Sequence, residues 1–145
     1  MSTSLLYHAF GIVGYSYVNQ KFQGGQVTFC IQQPRERLRC SQCGSEDVWV
    51  RGSKERTFRT VPIGLKPTFV TLDVSRVKCF ACDVVRQVKI GFADPKKHYT
   101  RSFERYALEL SKHMTIDDVA KHLQVSWDTI KEIQADHWFP PFHIR

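Results

Sequence analysis

Two cysteine pairs constrain this chain more than any other feature of its sequence. Cys40 and Cys43 lie in RLRCSQCGSED, and Cys79 and Cys82 lie in RVKCFACDVVR, with two residues between the members of each pair. Four thiols spaced in this way serve disulfide bonds, a redox centre or a metal ion. Each use makes a different demand on the rest of the chain, so the three can be compared.

The disulfide and redox interpretations fit the chain poorly. The cysteine count is five, and the first residues, MSTSLLYHAFGIVGYSY, carry no basic segment before their apolar run, unlike a signal peptide. No 18 consecutive residues are apolar, so we expect no membrane span and a cytosolic protein with reduced thiols. A thioredoxin-type pair begins a helix, whereas both pairs here are flanked by strand-like residues.

A metal ion explains both pairs together. Two C-x-x-C turns can direct four thiolates at one ion in tetrahedral geometry, which suits zinc. Four protein ligands leave no position for a water molecule, so the sequence predicts one structural zinc bound by Cys40, Cys43, Cys79 and Cys82. Iron in the same cage stays open as an alternative. Cys30 is unpaired within the apolar run VTFCI, and we interpret it as a small buried residue.

The basic charge is concentrated around these cysteines. The net charge is +7, and residues 33–101 carry fifteen Lys and Arg against seven Asp and Glu, whereas residues 102–145 carry five against seven. Such a distribution predicts a polyanionic partner, with a solvated face as the alternative for any single cluster. The predicted phosphate contacts are Arg35, Arg37, Arg39, Arg51, Lys54, Arg56, Lys96 and Lys97.

Strand-like patterns surround the cysteine pairs. Val27, Phe29 and Ile31 alternate with polar residues, and Gly24-Gly25 precedes them, which predicts an N-terminal hairpin. We expect DVWVRG and KERTFRTVP to form a second hairpin that turns near Gly52-Ser53, and TFVTLDVSRVKC to form a longer strand. Such a zinc-ribbon-like module is small, so metal binding should contribute about 10 kcal/mol or more to its folding.

The last third of the chain has helical periodicity. In TIDDVAKHLQVSWDTIKEI, Thr115 can cap one helix, and Ser126 can cap the next. Ala120 is the small residue that two crossing helices need, and Val125 can fill the turn between them, as in a helix-turn-helix. Gln124 stands where that turn often has glycine, so we expect a left-handed backbone or a slightly opened turn there.

In a helix-turn-helix the second helix contacts the bases. Its early exposed positions are Ser126, Trp127 and Lys131, which we predict to be the base-contacting residues. Packing of Trp127 against the preceding helix is the alternative for that residue. Asp128 and Glu132 repel phosphate, so the basic cysteine region would have to supply the general attraction to DNA.

These patterns predict an α+β fold divided into successive modules. We expect an arm and hairpin over residues 1–33, a four-cysteine zinc-ribbon-like module over 34–92, and a basic linker over 93–101. A helix-turn-helix module over 102–139 and a tail over 140–145 follow. No nucleophile–base pair or open metal site is visible, which argues against an enzyme.

The order of these parts resembles the N-terminal region of the bacterial insertion-sequence transposases often called ISL-three. The two cysteine pairs and VSWDTI (residues 125–130) carry the resemblance, which extends over residues 5–134. It implies a zinc finger and helix-turn-helix that bind double-stranded DNA at transposon ends, in the bacterial cytoplasm at the nucleoid. The RNase-H-like catalytic domain that follows in the family would not fit within these 145 residues, so we expect no catalysis.

Two other functions remain open from the sequence. The chain could be a stand-alone transcriptional regulator or an inhibitor that competes with a full transposase, since both need the same DNA contacts. It could instead be a zinc-ribbon module that binds other proteins, with incidental basic charge. The exposed edge of the N-terminal hairpin also leaves a homodimer open.

Overall fold

A mixed β-sheet followed by three helices makes up the fold. The structure is a computed structural model that describes residues 3–138. Its elements are α1 (Thr3–Phe10), β1 (Ser16–Gln23), β2 (Gln26–Gln32), β3 (Val48–Ile63), β4 (Lys66–Cys79), β5 (Val84–Gln87), α2 (Arg101–Ser111), α3 (Ile116–Leu123) and α4 (Trp127–Trp138). The predicted α+β class is confirmed, and the predicted tail over residues 140–145 lies outside the described residues.

The N-terminal hairpin forms as the sequence predicts. β1 and β2 pair in antiparallel fashion up to Gln23 and Gln26, and both glycines of the two-residue turn have positive φ angles, 59° at Gly24 and 76° at Gly25. Glycine adopts such angles without a steric penalty, which explains the turn. The alternating residues Val27, Phe29 and Ile31 are buried, as expected for a strand with one face in the core.

The prediction of a second hairpin is wrong. Residues 48–63 form one continuous strand, and Gly52 lies at a β-bulge, because Val50 pairs with Val77 whereas Gly52 pairs with Arg76. Its φ of 148° is one that glycine tolerates, so the residue bends the strand without reversing it. The chain reverses instead at Gly64, whose φ is 60°, between the paired residues Ile63 and Lys66.

The N-terminal hairpin and the zinc module share one sheet. The strand order is β1-β2-β4-β3, and β2 runs parallel to β4, with Val27 opposite Thr68 and Cys30 opposite Thr71. β5 pairs with the last residues of β4. Leu6 of α1, Phe29 of β2 and Phe58 of β3 are buried in the same hydrophobic core. The long antiparallel pair β3–β4 therefore connects the cysteine end of the sheet to the end nearest the helices.

The three C-terminal helices enclose a second hydrophobic core. Its buried residues include Phe103 of α2, Val119 of α3 and Ile130 of α4. Thr100 and Thr115 begin α2 and α3 by accepting hydrogen bonds from backbone N–H groups of their first turns, at 3.2 Å in both cases. None of the helices formed by residues 3–138 is long and apolar enough to cross a membrane.

Candidate metal centre and nucleic-acid interface

The four predicted metal ligands come together at one end of the sheet. Cys40 and Cys43 lie in the loop before β3, Cys79 ends β4, and Cys82 lies in the turn before β5. All four Sγ atoms lie within 4.8 Å of one another. The Sγ–Sγ distance is 3.5 Å between Cys43 and Cys79, and 4.0 Å between Cys40 and Cys82.

These distances fit a zinc ion. A zinc–sulfur bond of about 2.3 Å in tetrahedral geometry places neighbouring sulfurs about 3.8 Å apart, close to the two separations observed. Cys30 lies on β2, half-buried and outside the four-sulfur group. The prediction of one zinc at these four cysteines is therefore confirmed, and Cys30 is less buried than expected.

Both cysteine pairs adopt the same backbone turn. Gly44 and Asp83 each follow the second cysteine of a pair, and their φ angles are 74° and 56°. Their N–H groups donate to the carbonyl oxygens of Cys40 and Cys79 at 2.9 and 2.8 Å. In the first turn the N–H group of Gln42 also lies 3.4 Å from the Sγ atom of Cys40. In the second turn the N–H group of Cys82 lies 3.3 Å from the Sγ atom of Cys79.

The electrostatics of the four sulfurs favour binding of a cation. Hydrogen bonds from the backbone N–H groups of Cys43 and Gln42 lower the pKa of Cys40 to about 6. The hydrogen bond with Cys43, together with burial, raises the pKa of Cys82 to about 12. Four thiolates at this spacing would repel one another, and a divalent ion removes that repulsion. Since all four ligands come from the protein, the centre holds one structural zinc.

The geometry of α3 and α4 is that of a helix-turn-helix. Gln124 takes the left-handed conformation that the sequence predicts, with φ 58° and ψ 47°, and the N–H group of Val125 donates to the carbonyl of Ala120 at 3.0 Å. Ala120 is buried, and Val125 packs against the same core. Ser126 begins α4 by accepting a hydrogen bond from the Thr129 N–H group at 3.2 Å.

Comparison with protein families identifies both modules. Residues 36–82 match the zinc-finger of transposase IS204/IS1001/IS1096/IS1165, and residues 88–138 match the helix-turn-helix domain of transposase family ISL3. The chain belongs to the ISL3 transposase family. The two matched regions together cover more than half of it, in the order that the resemblance implies. No curated protein and no solved structure gives a significant match.

Basic residues of the zinc ribbon and of the segment that follows it line one cleft. A cavity of about 470 Å³ lies between β3, β4 and the segment after β5. The predicted contacts Lys54, Arg56 and Lys96 line it. Lys89 and His98 line it too, although neither was among the predicted contacts. Lys89 is isolated among apolar residues, and His98 directly follows the cations Lys96 and Lys97. Among the described residues that line it, the one acid is Asp94, and it is paired with Arg101 at 2.9 Å.

Lys89 extends this basic surface toward the zinc. It also lines a second concavity, beside Arg37, Arg39 and Cys40 at the first cysteine turn. We call the residues Arg37, Arg39, Lys54, Arg56, Lys89 and Lys96 the basic band. Arg35 and Arg51 are exposed at the same end of the sheet, outside these two concavities.

Two predicted phosphate contacts, Lys97 and Arg39, are paired with acidic side chains of the protein. Lys97 contacts Glu132, and its Nζ lies 2.9 Å from an oxygen of Asp136 on α4. Both ion pairs raise the pKa of Lys97, so it stays charged but is engaged. Arg39 donates to the carbonyl of Glu36 at 2.7 Å and lies 3.5 Å from a carboxylate oxygen of Glu46. Lys97 therefore joins the linker to α4, which sequence periodicity could not indicate.

The exposed start of α4 presents the predicted base-contacting residues. Trp127 is 44% exposed, so part of its ring is open to solvent. The Lys131 Nζ lies 5.0 Å from the centre of the Trp127 ring, a cation–π arrangement that orients both side chains. The Ser126 hydroxyl is exposed while it caps the helix. Since Lys97 is paired with Glu132, one of the two acids expected to repel phosphate is partly neutralised.

Proposed function

We propose that this ISL3-family chain binds double-stranded DNA at transposon ends, with the zinc-bearing sheet contacting phosphates and α4 reading bases in the major groove. The continuity of the basic band supports this proposal most. It runs from the first cysteine turn to the cleft beside the linker, and the linker contacts α4 through Lys97. A duplex lying along the band would therefore reach the base-contacting helix.

The division of labour follows from the charges of the two modules. The helical region is acidic overall, whereas the sheet region carries the positive balance. Phosphate attraction is independent of sequence, and sequence preference arises at base edges. Lys131 can donate to a guanine, and Trp127 offers an apolar surface to a thymine methyl group. Zinc keeps the sheet folded and does no chemistry, and a DNA-bound protein of this kind would be found in the bacterial cytoplasm at the nucleoid.

Selection from a random pool of duplex DNA tests this proposal. The zinc-loaded protein should enrich one sequence, and that sequence should occur in terminal inverted repeats flanking the coding region. A selected sequence without such repeats would support the regulator or inhibitor function instead. Failure to retain duplex DNA at low salt would exclude DNA binding altogether.

A second candidate function rests on exposed aromatic residues at the zinc end. Trp49 and Phe80 are 64% and 51% exposed, and their ring centres lie 6.4 Å apart. Exposed aromatic pairs of this kind occur at protein interfaces. Sedimentation of wild type and of Trp49→Ser distinguishes this function, because a protein or dimer contact at this patch would weaken while DNA affinity would not change.

A further inference from the structure

Arg59 connects the zinc-bearing sheet to the helix-turn-helix. Its side chain leaves β3, is only 7% exposed, and donates through Nη1 to the carbonyl of Leu123 at 2.6 Å, at the end of α3. Its Nε donates to the Thr60 carbonyl at 3.2 Å. The guanidinium carbon lies 5.0 Å from the centre of the Phe103 ring in α2. One buried cation therefore contacts two of the three C-terminal helices.

The predicted linker is attached to the same place on β3. The backbone N–H group of Arg59 donates to the His98 carbonyl at 2.8 Å, and its carbonyl accepts from the N–H group of Thr100 at 2.9 Å. The hydroxyl of Thr100 donates to that of Thr60 at 3.2 Å, and both threonines are fully buried. Since Thr100 also caps α2, the helix begins from a point fixed on the sheet.

Lys97 makes the corresponding connection to α4. Its ammonium contacts Glu132 and Asp136, one turn apart on the helix, while its carbonyl accepts from the Arg56 Nη2 atom at 3.2 Å. Arg56 lines the basic cleft. Moving the helix-turn-helix away from the sheet would separate the Lys97 ion pairs with α4 and the Arg59 hydrogen bond with the end of α3. A buried charge left without a partner is strongly unfavourable.

The distance that these contacts fix is close to a DNA repeat. Trp49, beside the zinc, and Arg59 are ten residue steps apart along β3, and an extended strand spans about 33 Å over ten steps. One turn of duplex is about 34–36 Å. Building on the proposed function, we infer that Arg59 and Lys97 are positioning residues that hold α4 and the zinc end at one fixed spacing. Arg35 lines a concavity together with Trp49 at the zinc end. The target duplex must therefore present the bases read by α4 and the phosphates contacted near Arg35 about one helical turn apart.

Footprinting on the selected duplex, followed by spacing changes, tests this inference in the zinc-loaded full chain. We expect two protected segments about one turn apart. Inserting about five base pairs between them, half a turn, should lower affinity about tenfold or more, because only one segment can then be contacted. Inserting about ten base pairs should not restore affinity, since a fixed sheet cannot lengthen to span the added turn.

Loosening the connection between the sheet and α4 should change how much affinity each insertion costs. Lys97→Gln should bind the original duplex more weakly, yet lose less on insertion than wild type loses. Lys112→Gln, which breaks an exposed pair with Glu109 within one helix, is the matched control and should behave as wild type. Lys97 is only partly buried, so Lys97→Gln should fold, and its circular dichroism and zinc content check that it does. Arg59→Met repeats the test at the buried contact.

The outcomes separate the two proposals. Absence of duplex binding would contradict the proposed function. Three results would overturn the fixed spacing alone, provided that binding is sequence-specific. They are a single protected segment, tolerance of the half-turn insertion, and recovery of affinity at the full-turn insertion. Equal insertion penalties in wild type and Lys97→Gln would overturn the role of Lys97.

Discussion

Ala120→Leu should destabilise the helix-turn-helix and weaken sequence-specific binding. Ala120 is 5% exposed, its carbonyl accepts the hydrogen bond from Val125, and its side chain lies in the core between α3 and α4. Leucine adds three carbon atoms where there is no free space, and overpacking of this kind costs about 1–3 kcal/mol. With a urea dependence of about 1–3 kcal/mol per molar, the unfolding midpoint should fall by about 1 M.

Urea unfolding at saturating zinc, followed by far-UV circular dichroism, measures this change. Ala135→Leu is the control, because Ala135 is exposed on α4 and both residues favour helices. The control should keep its unfolding free energy within about 0.5 kcal/mol of the wild-type value. DNA binding should lose sequence preference in Ala120→Leu, because the crossing angle sets the position of α4. If Ala120→Leu unfolded and bound DNA like the control, the helices would not cross at Ala120 and the motif assignment would be wrong.

Three further predictions concern the zinc, the turn and a buried carboxyl group. Chelation, or Cys43→Ser, should unfold the sheet with loss of about 10 kcal/mol or more of zinc-dependent stability. A reducing agent without a chelator should leave the ellipticity unchanged. The opposite pattern would indicate disulfides. Gln124→Gly should raise the unfolding free energy by up to about 1 kcal/mol, because glycine adopts the left-handed conformation without strain. An unchanged or lower urea midpoint would show that the contact of the Gln124 side-chain amide with the Leu65 carbonyl outweighs that strain. Burial raises the pKa of Glu104 above its ordinary 4.5, so ionisation disfavours the folded state, and stability should fall as pH rises from about 4.5 through the raised value. Glu104→Gln should remove that part of the pH dependence in thermal unfolding, and an identical pH profile would contradict it.

Local sequence patterns predicted the parts of this molecule that depend on neighbouring residues. The turn at Gly24-Gly25, the alternation in β2 and the left-handed Gln124 each follow from the preferences of a few adjacent residues. The zinc ligands could be predicted for a similar reason, because two C-x-x-C pairs have few other uses in a reduced compartment. The first hairpin and the helix-turn-helix were therefore predictable.

The features that sequence could not predict depend on distant residues. Gly52-Ser53 and Gly64-Leu65 are both acceptable turns, and only the pairing of β3 with the whole of β4 selects the second. The parallel pairing of β2 with β4 joins residues that are 41 positions apart in the sequence, and no local signal specifies it. Similarly, Lys97 looks like another linker cation until the fold brings it to α4.

The salt dependence of DNA affinity tests the central claim most directly. Fluorescence anisotropy at several salt concentrations should give log affinity falling linearly with log salt, by about 0.9 per phosphate contact. Lys54→Ala combined with Lys96→Ala should weaken binding to every duplex alike and reduce that slope by about 1.8, whereas Lys131→Ala should change the preference at one base pair by about 1–3 kcal/mol. Affinity that does not depend on salt, or an equal loss on every duplex in Lys131→Ala, would contradict the division between a phosphate-contacting zinc ribbon and a base-reading helix.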